Sequence, residues 1–174
     1  MSDKQYEYLR NLPIVFHFQP LHTFVVHGGM LAFDPTRPLD NPHQPLASMP
    51  AVASISAEHA RTIQEHALLT DIEANTNPNV ILNLRTITED GEATRDPDGT
   101  PWPKLWAKAM KHCQGYHHHL TVQEDDLNKH PKLPCLPINV IYGHYAARGL
   151  EVKRWSFGLD SGCVSGTTSK AVPC

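Results

Sequence analysis

The chain has 174 residues, of which 40% are hydrophobic and 19% charged, enough for one globular domain with a core of its own. A net charge of -3 and a pI near 6.4 exclude nucleic acid and anionic membrane as primary partners, because neither is drawn to a field of that sign. The apolar runs fall far short of the ~20 residues that cross a bilayer, and Met1 to Arg10 is too polar for a secretory signal.

Residues Gln5 to Leu12 are expected to finish a helix bounded by Pro13. Ile14–Phe16 and Thr23–Val26 read as two short strands joined by a loose hairpin at Gln19 and Pro20. Many of the 15 prolines cluster between Asp34 and Pro45 and between Lys129 and Pro137; they predict irregular connections, since proline lacks the amide donor that a strand or helix interior needs. Ser56 is a helix cap before Ala60, Ile63, Ala67 and Leu68 at helical spacing, and that helix is expected to end between Ala74 and Asn77, ahead of Pro78. Val80–Leu84 reads as a strand. Turn chemistry at Glu89–Glu92 and Asp96–Gly99 predicts a small hairpin.

Thr100 and Pro101 have the order of an N-cap and a first helical residue, with Leu105, Trp106, Ala109, Met110 and Cys113 on one face and Gly115 as the stop. Ile138–Tyr142 is the next strand; Val152–Phe157 and Cys163–Val164 supply two more. Strands and helices interleave, which predicts an α/β fold. Ser165–Cys174 lacks periodicity and reads as a poorly packed tail. Four cysteines, Cys113, Cys135, Cys163 and Cys174, without a CxxC pair suit reduced thiols of an intracellular protein better than a disulfide framework.

Two stretches share one design. Thr23-Phe-Val-Val-His27-Gly28-Gly29 and Ile138-Asn-Val-Ile-Tyr-Gly143-His144 are each an apolar run ending in glycine and histidine. Each reads as a strand that delivers a histidine at its tip, and two such tips at one sheet edge are suited to a metal ion, histidine being its commonest protein ligand. Gly28, Gly29 and Gly143 fit either turns or close approach of a ligand. Arg85, just past the Val80–Leu84 run, is the best candidate for gripping phosphate, since a planar guanidinium pairs two phosphoryl oxygens; a surface arginine is the plainer alternative. Arg148 and Arg154 are weaker candidates with structural roles preferred. Asp160 reads as a turn residue that orients amides and a neighbouring histidine. His117, His118 and His119 read as a solvated loop, His59 and His66 as surface residues, and Trp102, Trp106 and Trp155 as packing residues.

The strings Tyr142-Gly-His-Tyr-Ala-Ala-Arg-Gly-Leu150 and Arg154-Trp-Ser-Phe-Gly-Leu-Asp-Ser-Gly-Cys-Val164 resemble the C-terminal part of calcineurin-like metallophosphoesterases, and Val26-His-Gly-Gly29 resembles the histidine motif that precedes it there. The resemblance is to the serine/threonine phosphatase and diadenosine tetraphosphatase branch, with Leu9–Pro13, Leu82–Arg85 and Asp98–Trp102 similar to fungal endopolyphosphatase-type members. It implies a β-sandwich flanked by helices, hydrolysis of phosphoanhydrides or phosphoesters, a two-metal centre of Mn, Zn or Co, and His27 and His144 as metal ligands.

The family's D-x-H, G-D-x-x-D-R-G and G-N-H-E motifs are absent from this sequence. The resemblance therefore implies a C-terminal half of the domain, residues 1–164, followed by the divergent 165–174 tail. No catalytic residue is assigned, and activity of the chain by itself is not expected, because two imidazoles alone supply neither the charge nor the coordination number of a hard divalent ion. Its expected partners are a phosphate-containing substrate and, through open sheet edges, a second copy; its compartment by resemblance is the cytoplasm or the vacuole. The alternatives are a non-catalytic interaction module of the same fold and a histidine-rich metal binder based on His117–His119.

Overall fold

The computed structural model describes residues 1–49, 56–116 and 131–162. Helix α1 (Asp3–Arg10) starts from a capping box in which Ser2 Oγ accepts from the Gln5 amide and the Gln5 side chain accepts from the Ser2 amide. No residue of α1 is buried. Strands β1 (Val15–Phe18) and β2 (Thr23–Val26) form the expected antiparallel hairpin, turned by a 3-10 segment at Gln19–Leu21 with His22 in the left-handed region at φ 48°.

Helix α2 (Ala57–Thr70) is capped by Ser56, whose Oγ accepts from the His59 amide. It ends earlier than the sequence suggests. Asp71 closes it and the chain restarts as α3 (Glu73–Thr76), because the buried Asn75 turns inward. Its amide donates to the Leu31 and Leu68 carbonyls and its oxygen accepts from the Leu31 N–H.

The expected Val80–Leu84 strand is instead helix α4 (Pro78–Asn83). Asn77 Oδ1 accepts from the Asn79 amide and Pro78 occupies the first turn, a start signal stronger than a three-residue apolar run too short to have a period. The predicted small hairpin is present as β3 (Thr86–Ile87) and β4 (Ala93–Thr94), joined by β5 (Thr100–Pro101) in a three-stranded sheet of order β4-β3-β5. Thr100 and Pro101 thus pair with Ile87 and Thr86 rather than beginning a helix. Helix α5 (Trp102–His112) starts one residue later, buries Trp102, Pro103, Trp106, Ala109 and Met110, and ends before Gly115.

Strand β6 (Asn139–Tyr142) is as expected; the Val152–Phe157 segment is split by a turn into β7 (Glu151–Val152) and β8 (Ser156–Gly158). These complete a five-stranded sheet of order β1-β2-β6-β8-β7, parallel at β2/β6 and β6/β8 and antiparallel at its two margins. The α/β class is borne out. Cys163–Val164, His117–His119 and the 165–174 tail lie outside the described residues.

The core lies on one face of this sheet. Phe24, Val26, Val140 and Tyr142 meet Leu68, Ile72, Trp102, Trp106 and Met110 there. Trp102 packs edge-on against both Trp106, at 6.4 Å, and Tyr142, at 4.7 Å, and the Trp106 indole N–H donates to the Ile138 carbonyl. Trp155 is half-buried under Arg154, so all three tryptophans are packing residues. The opposite face carries one apolar row across all five strands: Phe16, Val25, Ile141, Phe157 and Val152 are successive register partners. Phe16, Val25 and Val152 are exposed.

Irregular segments are held by buried amides. Gln44 accepts from the Asp34 N–H and donates to the Asp34 and Pro38 carbonyls, while Gln64 donates to Ser48 and Pro134 and accepts from the Tyr116 hydroxyl. The expectation of reduced thiols is reversed for one pair: Cys113 and Cys135 form a disulfide. The backbone itself brings them together, since Leu133 N–H donates to His112 and Gly115 N–H to Cys135, leaving the Cα atoms 4.7 Å apart, within bridging range. Such bonds persist in oxidising surroundings.

The hairpin is clasped to α2 by Glu65, which is fully buried. One carboxylate oxygen meets His17 Nε2 at 2.8 Å; the other meets His22 Nδ1 at 2.8 Å and Arg61 Nε at 3.1 Å. Arg61 also donates to the Pro137 carbonyl, and the His17 ring stacks on Phe24 at 4.5 Å. Removing one partner of a buried ion pair strands the other, so Glu65→Ala is expected to destabilise the chain by about 3 kcal/mol or more in urea denaturation. A loss below about 0.5 kcal/mol would show that the clasp does not hold the hairpin.

Candidate functional site at the carboxyl ends of two parallel strands

Because β2 and β6 run parallel, their carboxyl ends emerge at the same edge. His27 follows β2 directly and is exposed; His144 follows β6 through Gly143 and is half-buried. The Gly143 N–H donates to the His27 carbonyl at 3.0 Å, extending the pairing beyond the strands. The two rings stand 4.8 Å apart, tilted by 38°. His144 has φ 59°, a left-handed conformation that costs a residue with a side chain about 1 kcal/mol. The two histidine motifs are therefore brought together as expected.

The glycines beside them serve packing. A Cβ on Gly28 would lie 2.7 Å from the Leu82 carbonyl oxygen and one on Gly29 2.4 Å from the Trp102 indole nitrogen. Both glycine amides donate to the Ile81 carbonyl, tying the end of β2 to α4. Close approach is required here, but by the protein's own backbone and Trp102 rather than by a ligand.

Arg85 joins the histidines. Its backbone is fixed on both sides, N–H donating to Thr94 and carbonyl accepting from Trp102, and its guanidinium lies 5.0 Å from the centre of the Tyr145 ring. Arg148 lies 4.8 Å from the same ring and 3.4 Å from Glu151. Arg95, which nothing in the sequence singled out, acts electrostatically on His144 and lines a cavity of about 350 Å³ between α4 and β4, with Asn79, Val80, Asn83, Leu84, Ala93 and Thr94. Arg154 is engaged with Trp155 instead, 4.5 Å from its ring centre. Asp160 Oδ1 accepts from the Gly162 N–H, as a turn residue does, and its charge also reaches His144. His59 and His66 are exposed on α2.

Burial holds the His144 imidazole below its ordinary pKa, and the neighbouring His27, Arg85 and Arg95 push it further down against the pull of Asp160. His144 is thus neutral near pH 7, able to donate a lone pair or accept a proton. Its Nε2 is buried and has no hydrogen-bond partner among the described residues, as is true of Arg85 Nε. Native proteins rarely leave such groups unsatisfied, since each costs about 1–3 kcal/mol. One orphan offers a lone pair or a proton and the other a cationic N–H. Together they suit a phosphoryl oxygen, with or without a cation beside it.

No protein-family model and no curated protein matches the sequence. Among solved structures, the chain is similar to the crystal structure of a "putative diadenosine tetraphosphatase", at a TM-score of 0.48 and 21% identity, over 95% of this chain and 48% of that one. The chain spans about half the length of that neighbour.

Whether the residues present suit a divalent ion is decided by the donors. His144, with a buried Nε2 that has no partner among the described residues, and the adjacent His27 offer two imidazole donors. Among the described residues no group of three or more histidine, cysteine, aspartate or glutamate side chains is placed to hold a metal.

In a pH titration of the metal-free protein followed by NMR at the imidazole Cε1–H, His144 is expected to titrate below 6.5, the ordinary value. Arg85→Gln should raise its midpoint by removing a cation, and Asp160→Asn should lower it by removing an anion. A midpoint at or above the ordinary value would contradict this electrostatic account.

Proposed function

We propose that this chain carries the phosphate-gripping part of a metal-dependent phosphoesterase, a hydrolase of phosphoanhydride or phosphoester bonds. The observation that carries this reading is the pair of buried nitrogens without partners among the described residues, His144 Nε2 and Arg85 Nε, at an edge where Arg95 and Arg148 add positive charge. Arg85 binds the phosphoryl oxygens. His27 and His144 are two ligands of a divalent ion, Mn, Zn or Co, whose other ligands come from outside the described residues. Such an ion supplies Lewis-acid polarisation of phosphorus-bound oxygen and activation of water. Burial and the surrounding cations keep His144 unprotonated for ligation, and the Gly143 hydrogen bond to His27 fixes the spacing of the two rings.

A second reading, an interaction module without catalysis, is favoured by the apolar row from Phe16 to Val152 and by the open edges of β1 and β7. Exposed apolar faces and unpaired strand edges call for a covering partner, and a second copy of the chain would cover both.

The two readings separate in two measurements. Titration with Zn²⁺ and with orthophosphate should show binding of each; His27→Ala with His144→Ala should weaken zinc by about ten-fold or more, a loss of about 1.4 kcal/mol, and Arg85→Gln should do the same to phosphate. Binding of both unchanged in these variants would refute the phosphoesterase reading. Sedimentation velocity tests the other: a dimer that Phe16→Lys dissociates supports the module, and a cooperatively melting monomer at all concentrations sinks it.

A further inference from the structure

Tyr145, next to His144 in the chain, receives two guanidinium groups: Arg85 from the end of α4 at 5.0 Å and Arg148 from the following 3-10 turn at 4.8 Å. We propose that Arg148 is a second anion-binding residue of the site and that Tyr145 is the positioning residue holding the two arginines as one clamp for a dianionic phosphoryl group. This rests on the phosphate-gripping reading above and adds to it residues that the resemblance did not assign.

Two like charges gathered on one ring repel each other. The ring face offsets part of this, by about 0.5–2 kcal/mol for each guanidinium. Carboxylate compensation is thin: Arg148 reaches Glu151 at 3.4 Å, and that carboxylate also accepts from the Tyr142 hydroxyl and from Lys153. Arg85 Nε is buried and finds no acceptor among the described residues. Arg148, in contrast, is held on two sides, by Glu151 and by the ring, which limits the side-chain entropy it loses when an anion arrives. A phosphoryl dianion takes several donors at once, so it relieves the repulsion and satisfies the orphaned nitrogen together. The aromatic ring fixes both arginines without neutralising either. A carboxylate in its place would cancel the charge the anion needs.

Isothermal titration of orthophosphate into the full chain tests the clamp, with circular dichroism confirming that each variant is folded. Arg148→Gln is expected to weaken binding by about ten-fold, or about 1.4 kcal/mol, and Arg148→Lys to recover only part, because the planar fork is lost. Tyr145→Phe, which keeps the ring but removes the hydroxyl that bonds Arg148, should weaken binding less than Tyr145→Leu, which should fall to the level of Arg148→Gln. If Tyr145→Leu does not fold, the two Arg148 variants carry the test. Phosphate binding unaffected in Arg148→Gln but lost in Arg85→Gln would overturn the clamp and leave the phosphate-gripping reading intact. No binding of orthophosphate by the parent chain at millimolar concentration would overturn both.

Discussion

Parallel pairing of β2 with β6 is the constraint on which the rest of the arrangement depends. An antiparallel pair would send the carboxyl ends of the two strands to opposite edges of the sheet. The parallel register, Thr23 against Asn139 and Val25 against Ile141, sends both histidine-bearing tips to one edge. A parallel pair needs a long crossover, and here that crossover contains α2 to α5 and the three-stranded sheet. The helices cover one face of the five-stranded sheet, and the same crossover brings Arg85 and Arg95 to the edge where the histidines emerge.

That edge is cationic in a chain whose net charge is negative. Arg85 and Arg95 act on the His144 imidazole and Arg148 shares the Tyr145 ring with Arg85, while Asp160 acts on His144 and Glu151 touches Arg148. Burial first, and then the fields of His27, Arg85 and Arg95, keep His144 neutral by raising the cost of a further positive charge, against the pull of Asp160. The same fields favour an anion. Neutral imidazole beside bound arginines is therefore a single electrostatic arrangement, suited to an oxyanion whether or not a cation accompanies it.

Elsewhere the molecule stabilises irregular backbone with buried polar groups. Asn75, Gln44 and Gln64 each satisfy several main-chain groups of proline-rich or turning segments that cannot satisfy one another. Glu65 does the same with charge, joining the β1–β2 hairpin to α2 through His17, His22 and Arg61. The disulfide between Cys113 and Cys135 closes the segment after α5 and returns the chain toward β6. These contacts fix the hairpin, and hence the direction in which β2 delivers His27.

Local chemistry was enough to read α1, the β1–β2 hairpin, the capped start of α2, the amphipathic face of α5 and strand β6. Each has a start signal or a period that depends on neighbouring residues alone. The histidine pair was legible for the same reason, as two copies of one pattern. Their meeting at one edge was part of that reading, but the parallel register that produces it is set by the whole sheet. Val80–Leu84 was misread since three apolar residues have no period, and the Asn77–Pro78 helix start outweighed them. The disulfide was missed because cysteine spacing does not show that backbone pairing of Leu133 with the end of α5 draws two sulfurs together. Arg95 carried no motif, and Tyr145, though inside the quoted Tyr142–Leu150 string, was given no role there. Only the folded chain brings Arg95 close enough to act on His144 and sets two guanidinium groups against the Tyr145 ring. The sequence by itself thus determined which side chains hold lone pairs and charge, while tertiary structure decided which of them share a field, since Coulomb and ring interactions depend on distance in space.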